Sequence, residues 1–226
     1  MKVSVLQMTN KPPSEDLRNM IRERIESGDF TGWFEQVYRG TKAGQFNAPW
    51  SVHAPHPHLV SWFEREKPDG AGKTALVAGC GEGDDAEFLA ERGYRVTAFD
   101  ISQAAIEICQ KRFPESKVTY QVADLFALPE AWRNAFDFVL DNRTVQSLPP
   151  HLTENAIRGE ASAVADDGTL LIICSGRDNA EPREGIPWPL SHDDLNLFVA
   201  AGLTETHFEE LTTEKSGRRF RVTYTK

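Results

Sequence analysis

The stretch Ala75-Leu76-Val77-Ala78-Gly79-Cys80-Gly81-Glu82-Gly83-Asp84-Asp85 decides how the chain is read. A short apolar run runs into three glycines at alternate positions, and an acidic pair opens the segment that follows. Glycine at such a point lets a buried strand turn sharply into a helix and lets backbone pass close to a ligand. By itself the spacing is a weak signal, because glycines also serve plain tight turns. The next apolar run, Arg95 to Phe99, ends at Asp100, about twenty residues on, where a carboxylate can accept hydrogen bonds from a ribose diol. The two features together point to a cofactor that contains a nucleoside.

The acidic pair chooses between cofactors. A pyrophosphate favours a G-x-G-x-x-G turn and a helix start free of negative charge, since the helix dipole is used to bind the anion. Asp84 and Asp85 stabilise a helix start but repel phosphate. S-adenosylmethionine (SAM) has no phosphate and carries a positive sulfonium, so SAM is the expected cofactor and S-adenosylhomocysteine the expected product. After the third apolar run, Asp124, Leu125 and Phe126 stand where an acidic side chain and neighbouring amides read an adenine edge; the alternative for Asp124 is a turn or cap aspartate. The fourth run ends in Asp141-Asn142-Arg143, at the carboxyl edge where open α/β sheets bind ligands. These three face the methionine end of SAM or the acceptor, or Arg143 pairs with Asp141 to order the loop.

Outward from this centre, short apolar runs alternate with amphipathic segments, the pattern of β-α-β units on a mostly parallel sheet. Strands are expected at 75–79, 95–99, 118–122, 136–141 and 169–174, with helices at 84–92, 103–112 and 154–165 and another starting at Ser191. Two further β-like segments, 204–211 and 219–225, suggest an antiparallel hairpin through Gly217. Residues 1–70 differ in texture, with Trp33, Trp50 and Trp62 among prolines and histidines. Ser14 is a candidate N-cap, Leu17, Ile21 and Ile25 share one helical face, and Gly28 ends that helix. This region is expected to be a helical N-terminal extension, making one domain of 1–226 with a core over 71–226.

Composition narrows the class. With 226 residues, 40% hydrophobic and 26% charged, the chain suits a single globular domain. A net charge of −9 repels the phosphates that dominate nucleic-acid affinity, so nucleic acid is not an expected partner. The basic cluster Lys215, Arg218, Arg219 and Arg221 is expected to be a solvated turn. No apolar run reaches the roughly 20 residues of a membrane span, and residues 1–20 lack a signal-peptide core, so a cytoplasmic location is expected. Cys80, Cys109 and Cys174 have no paired spacing and are expected to be reduced. His53, His56 and His58 sit close together, but Pro55 and Pro57 enforce an extended chain that scatters them, so no metal site is expected.

The quoted turn, followed by Phe99-Asp100-Ile101-Ser102, resembles class I SAM-dependent methyltransferases. It is similar more narrowly to the thiopurine and halide/thiol methyltransferase group, because Val77 stands where many class I enzymes carry an acidic residue. Gly32-Trp33 with Pro49-Trp50, the run from Phe136-Asp137 to Pro149-Pro150, and Gly185-Ile186-Pro187-Trp188 extend the likeness from Gly32 to the C-terminus. It implies a Rossmann-like, seven-stranded, mostly parallel sheet with a C-terminal antiparallel hairpin and an N-terminal helical lid. It also implies SAM contacts from Trp33, Trp50, Gly79, Cys80, Gly81 and Gly83, and from Asp100, Ile101, Asp124, Leu125, Phe126 and Asp141. His53 and Trp188 are the implied acceptor-pocket residues, with ordinary packing as the alternative for the tryptophans. Ser51-Val52-His53 departs from the acidic residue usual in halide/thiol enzymes, and Asn142 replaces the arginine of thiopurine enzymes. The likeness is better to uncharacterised bacterial small-molecule methyltransferases.

Displacement at a sulfonium needs proximity, alignment and exclusion of water, and a base is optional. No unmistakable base is present, which favours a thiol or other soft nucleophile, with oxygen and nitrogen acceptors as alternatives. A nucleotide-dependent oxidoreductase would need the phosphate-binding spacing missing here. A SAM-binding regulatory protein without an acceptor is the non-enzymatic alternative.

Overall fold

The computed structural model describes residues 15–213 and 217–226. Three helices come first, α1 (Glu15–Glu26), α2 (Gly32–Lys42) and α3 (Pro57–Glu66). Strands and helices then alternate: β1 (Thr74–Ala78), α4 (Asp84–Ala90), β2 (Arg95–Asp100), α5 (Gln103–Arg112) and β3 (Thr119–Val122). The second half holds β4 (Phe136–Asn142), α6 (Thr153–Ala163), β5 (Val164–Ser175), α7 (His192–Ala200), β6 (Thr204–Thr213) and β7 (Gly217–Thr225). Local chemistry sets the helix starts. Ser102 caps α5 by accepting from Ala105 N at 3.1 Å, and Ser191 and Asp194 form a reciprocal capping box on α7. Pro57 sits in the first turn of α3, where a missing N–H costs nothing, so it starts a helix rather than prolonging an extended connector. The candidate cap Ser14 lies outside the described residues.

The sheet order is β3-β2-β1-β4-β5-β7-β6, parallel from β3 to β5, with β7 antiparallel to both neighbours. This is the Rossmann-like sheet with a C-terminal hairpin that the sequence implied. The chain runs outward from β1 to β3, then returns to lay β4 on the other side of β1. The carboxyl ends of β1 and β4 therefore flank the switch point at which such sheets bind ligands. Period-two alternation buries both faces: Leu76 and Ala78 pack with Ile157 of α6 and Phe198 of α7, whereas Ala75 and Val77 pack with Leu59, Trp62 and Phe63 of α3 and Leu89 of α4. So α3 belongs to a layer of the sheet, while α1 and α2 lie instead on α5, where Leu17, Ile21, Val37 and Tyr38 meet Ala104, Ala105 and Ile108.

The basic cluster is not a solvated turn. Alternation on β7 turns Phe220, Val222 and Tyr224 into the core and Arg219 and Arg221 to the α3 side. Arg221 is 5% exposed. It donates to His58 O at 2.6 Å, Ser61 Oγ at 2.8 Å and Glu209 Oε2 at 2.7 Å, which ties α3 to the hairpin. Arg218 reaches Asp178 and Glu210, and Lys215 lies outside the described residues. Burial raises the Glu209 carboxyl, but hydrogen bonds from Arg221 and Arg65 outweigh it and hold the group at about 2. Because this lies below the unfolded value of about 4.3, the stabilisation is fully present above that pH and is lost as pH falls toward 2. Glu209→Gln should therefore lower the unfolding free energy at pH 7 by up to roughly 3 kcal/mol. Urea unfolding from pH 6 to pH 2.5 checks this, and a deficit that does not shrink on acidification would rule the linkage out.

Candidate active site

The turn after β1 is glycine by necessity. Gly79 has φ +57° and Gly81 φ +54°, left-handed values that a side chain strains. A Cβ on Gly79 would come 2.6 Å from Thr144 Oγ1, and one on Gly81 would come 2.8 Å from Tyr38 Oη. At the end of β2, Asp100 is 5% exposed and accepts from Gly81 N at 3.0 Å and Ser102 N at 2.9 Å. Those two bonds leave each oxygen a further lone pair, and burial pushes the carboxyl up to about 6. The turn and Asp100 open onto a cavity of about 840 Å³, the size of a small-molecule site.

The first half of that cavity is walled by Cys80, Gly83, Ile101 and the segment 123–126. Asp124 Oδ1 accepts from Phe126 N at 2.9 Å, so the side chain does the work of a turn cap while the segment stays on the wall. A cover from α1 and α2 lies over it. Glu35 of α2 accepts from Ser102 Oγ at 2.6 Å and Ala104 N at 3.0 Å, pinning α2 to the start of α5. Tyr38 accepts from Trp50 Nε1 at 2.8 Å, Trp33 meets Trp50 edge-on at 6.0 Å, and all three rings line the cavity. Ser51 donates to Glu82 Oε2 at 2.7 Å, and Glu82 Oε1 is buried without a partner among the described residues.

The second half lies beyond β4. Asp85, at the first turn of α4, accepts from His56 N and from Asn142 Nδ2, each at 2.7 Å. Since a carboxylate only accepts, this bond fixes the Asn142 amide and leaves its buried Oδ1 with no partner among the described residues. His56 accepts from His58 N at 3.2 Å through Nδ1, and burial, ahead of nearby Arg143, pushes the imidazole down to about 3. Arg143, at φ +71°, Thr144, Gln146, Ser175, Arg219 and the loop 185–187 complete the wall.

Of the residues singled out in the sequence, Trp33, Trp50, Gly79, Cys80, Gly81, Gly83, Asp100, Ile101, Asp124, Leu125, Phe126, Asn142 and Arg143 share this one cavity. Asp141, His53 and Trp188 stand off its wall. Asp141 is 1% exposed and accepts from Thr144 N at 2.6 Å and Val145 N at 3.1 Å, so it orders the loop through backbone amides rather than through Arg143. His53 is half-exposed, 3.4 Å from Glu82 Oε2. Trp188 is buried and donates its backbone N–H to Gln146 O at 2.7 Å, which leaves the wall to its neighbours Ile186 and Pro187. The sequence reading missed Glu35, Tyr38, Asp85 and Arg219, and of the three neighbouring histidines it chose His53 for the acceptor pocket where His56 lines the wall. For Tyr38 a signal existed, since Trp33, Val37 and Tyr38 recur on one helical face.

Known proteins agree with this architecture. A family model described as a methyltransferase domain matches residues 75–168. The chain is 29% identical over 172 residues, 74% of each chain, to 2-heptyl-1-hydroxyquinolin-4(1H)-one methyltransferase of Mycobacteroides abscessus. Burkholderia thailandensis 1,6-didemethyltoxoflavin-N1-methyltransferase, solved with 1,6-didemethyltoxoflavin and S-adenosylhomocysteine, shares the fold with a TM-score of 0.67 at 19% identity, over 92% of this chain and 90% of that one. A structure from work on the conversion of a disulfide bond into a thioacetal group in echinomycin biosynthesis reaches 0.69 at 22% identity, over 87% and 91%. Residues 75–168 match a methyltransferase domain, and the chain is a methyltransferase that uses S-adenosylmethionine.

Proposed function

We propose that the chain methylates a small molecule inside this cavity, at an acceptor atom that ionises without help from an enzymic base. The observation that carries the reading is that one cavity of about 840 Å³ is lined both by Gly79, Gly81 and Asp100 and by residues beyond β4, Asn142, Arg143 and Arg219. The residues fit SAM. Asp100 has lone pairs to offer a ribose diol, the segment 123–126 offers amides to an adenine edge, and the unpartnered Glu82 Oε1 and Asn142 Oδ1 suit a cationic ammonium donor. When bound, SAM supplies an electrophilic methyl group. The rings of Trp33, Trp50 and Tyr38 exclude water from it, and an aromatic face beside a cation adds about 0.5–2 kcal/mol when desolvated.

His56, held near 3, is a weak base at neutral pH, and Asp85, although burial raises its carboxyl, has both oxygens occupied by hydrogen bonds from His56 N and Asn142 Nδ2. This supports a thiol, which the likeness to the thiopurine and halide/thiol group also favours, or an acidic hydroxyl such as that in the acceptor named for the M. abscessus relative. The test is a screen of thiols, acidic hydroxyl compounds including 2-heptyl-1-hydroxyquinolin-4(1H)-one, halides and amines with methyl-labelled SAM, following methylated product and S-adenosylhomocysteine together. Tight cofactor binding with no product from any class would sink the reading in favour of a regulatory SAM sensor. For the cofactor half, Asp100→Ala should raise the dissociation constant of S-adenosylhomocysteine roughly 10- to 100-fold, the effect of a charge-assisted hydrogen bond of about 1.5–3 kcal/mol. Calorimetry measures it, and an unchanged constant would remove Asp100 from the site.

A further inference from the structure

Among the described residues, two guanidinium groups on the wall of the second half have no carboxylate of their own. Arg143 follows β4, and Arg219 sits on β7 directly opposite Ser175 of β5, on the other side of β1 from Asp100. Among the described residues, the Arg143 guanidinium makes no hydrogen bond or ion pair, and Arg219 donates only to the Arg218 carbonyl, at 3.1 Å. Their neighbours each have a carboxylate within 4 Å. Arg218 has Asp178 and Glu210, Arg221 has Glu209, and Arg177 and Arg183 share Asp194 at 2.7 and 3.7 Å. Asp85 is the carboxylate whose field reaches Arg143, and both its oxygens are already occupied by His56 N and Asn142 Nδ2. Burial disfavours the charge on both arginines, and Arg143 disfavours that on Arg219 further. An arginine does not relieve such a field by losing its proton, so the site is completed by an anion. His56, kept neutral on the same wall, adds no competing charge.

We propose that the methyl acceptor occupies this half of the cavity as a small organic anion, its charge on or conjugated with the acceptor atom and held by Arg143 and Arg219. The proposal rests on the methyltransferase reading of the same cavity. A lone pair of the anion forms the bond to the methyl carbon, the carbon–sulfur bond breaks, and its electron pair stays on sulfur, so a cation and an anion become two neutral products. Methylation thereby removes the charge that the two arginines grip, and the product is released more readily than the substrate.

The test uses 4-nitrophenol, whose ionised and protonated forms differ by one proton in an unchanged shape, titrated into the S-adenosylhomocysteine complex across the probe's own ionisation. The wild-type protein should bind the ionised form at least about tenfold more tightly than the protonated form. The preference should fall to about threefold or less in Arg143→Met or Arg219→Met, vanish in the double variant, and persist in Arg143→Lys and Arg219→Lys, which keep the charge. No preference in the wild-type protein, no binding of the ionised form, or a preference that survives the double methionine variant would overturn the proposal. Absence of S-adenosylhomocysteine binding in the wild-type protein would instead overturn the cofactor reading beneath it, so the two failures are told apart.

Discussion

Gly81→Val is expected to abolish measurable binding of S-adenosylhomocysteine, a loss of roughly a thousandfold or more, in a protein that keeps its fold. Two costs combine. A β-branched residue at φ +54° is held in a region that such side chains rarely enter, and its Cβ would stand 2.8 Å from Tyr38 Oη. Tyr38 cannot swing aside cheaply, because it is buried, hydrogen-bonded to Trp50 and packed in the cluster that holds the cover on α5. The turn also carries Gly81 N, which orients Asp100. One substitution thus disturbs the turn, the carboxylate and the cover together. Gly202→Val is the control: it has the same kind of positive φ, +97°, with no atom within 4 Å of a built Cβ, and it follows α7 away from the cavity. It should cost stability but leave affinity unchanged. Calorimetry and circular dichroism on both variants decide the matter, and a Gly81→Val affinity within tenfold of wild type would mean that the turn does not approach the cofactor.

The sheet was legible because each buried strand is a short apolar run bounded by turn residues, and parallel order follows from the helices between them. The start of β5 was not. Val164 to Gly168 breaks its pairing with β4 at an irregularity between Phe136 and Phe138, and a run containing Asp166, Asp167 and Gly168 does not look like strand. In the site, residues fixed by backbone geometry, Gly79, Gly81 and Asp100, could be placed from spacing alone. Residues brought in from another layer could not. Asp85 looked like a helix-start charge, yet it brackets His56 and Asn142, partners 29 and 57 positions away. Arg219 and Arg221 looked like a basic turn because charge was counted without strand parity. Read with a period of two, Arg219-Phe220-Arg221-Val222 already separates a buried face from a face turned toward α3 and the cavity.

Removing the cover should cost far more in catalysis than in stability. A chain beginning at Ala54 keeps α3, the His56–Asp85 contact and both sheet faces, so its core survives. It loses Trp33, Tyr38 and Trp50 from the cavity wall and Ser51 from Glu82. On the fold side, the losses are the packing on Ala104, Ala105 and Ile108 and the bonds from Glu35 to the start of α5, where water can replace the carboxylate. The thermal midpoint should therefore drop by only about 5 °C or so, roughly the effect of 1–2 kcal/mol in a domain of this size. Affinity for S-adenosylhomocysteine should fall about a hundredfold or more, and methyl transfer should become undetectable, because the methyl donor would face water on one side. In the full chain, the exposed connector from Gly44 to Asn47 is the natural point of proteolytic attack, and SAM should slow cleavage there by bracing Tyr38 and Trp50 on either side of it. A shortened chain that methylates its acceptor at the full rate, or a connector cut equally fast with and without SAM, would leave these tryptophans as ordinary packing and the cover without a role in the reaction.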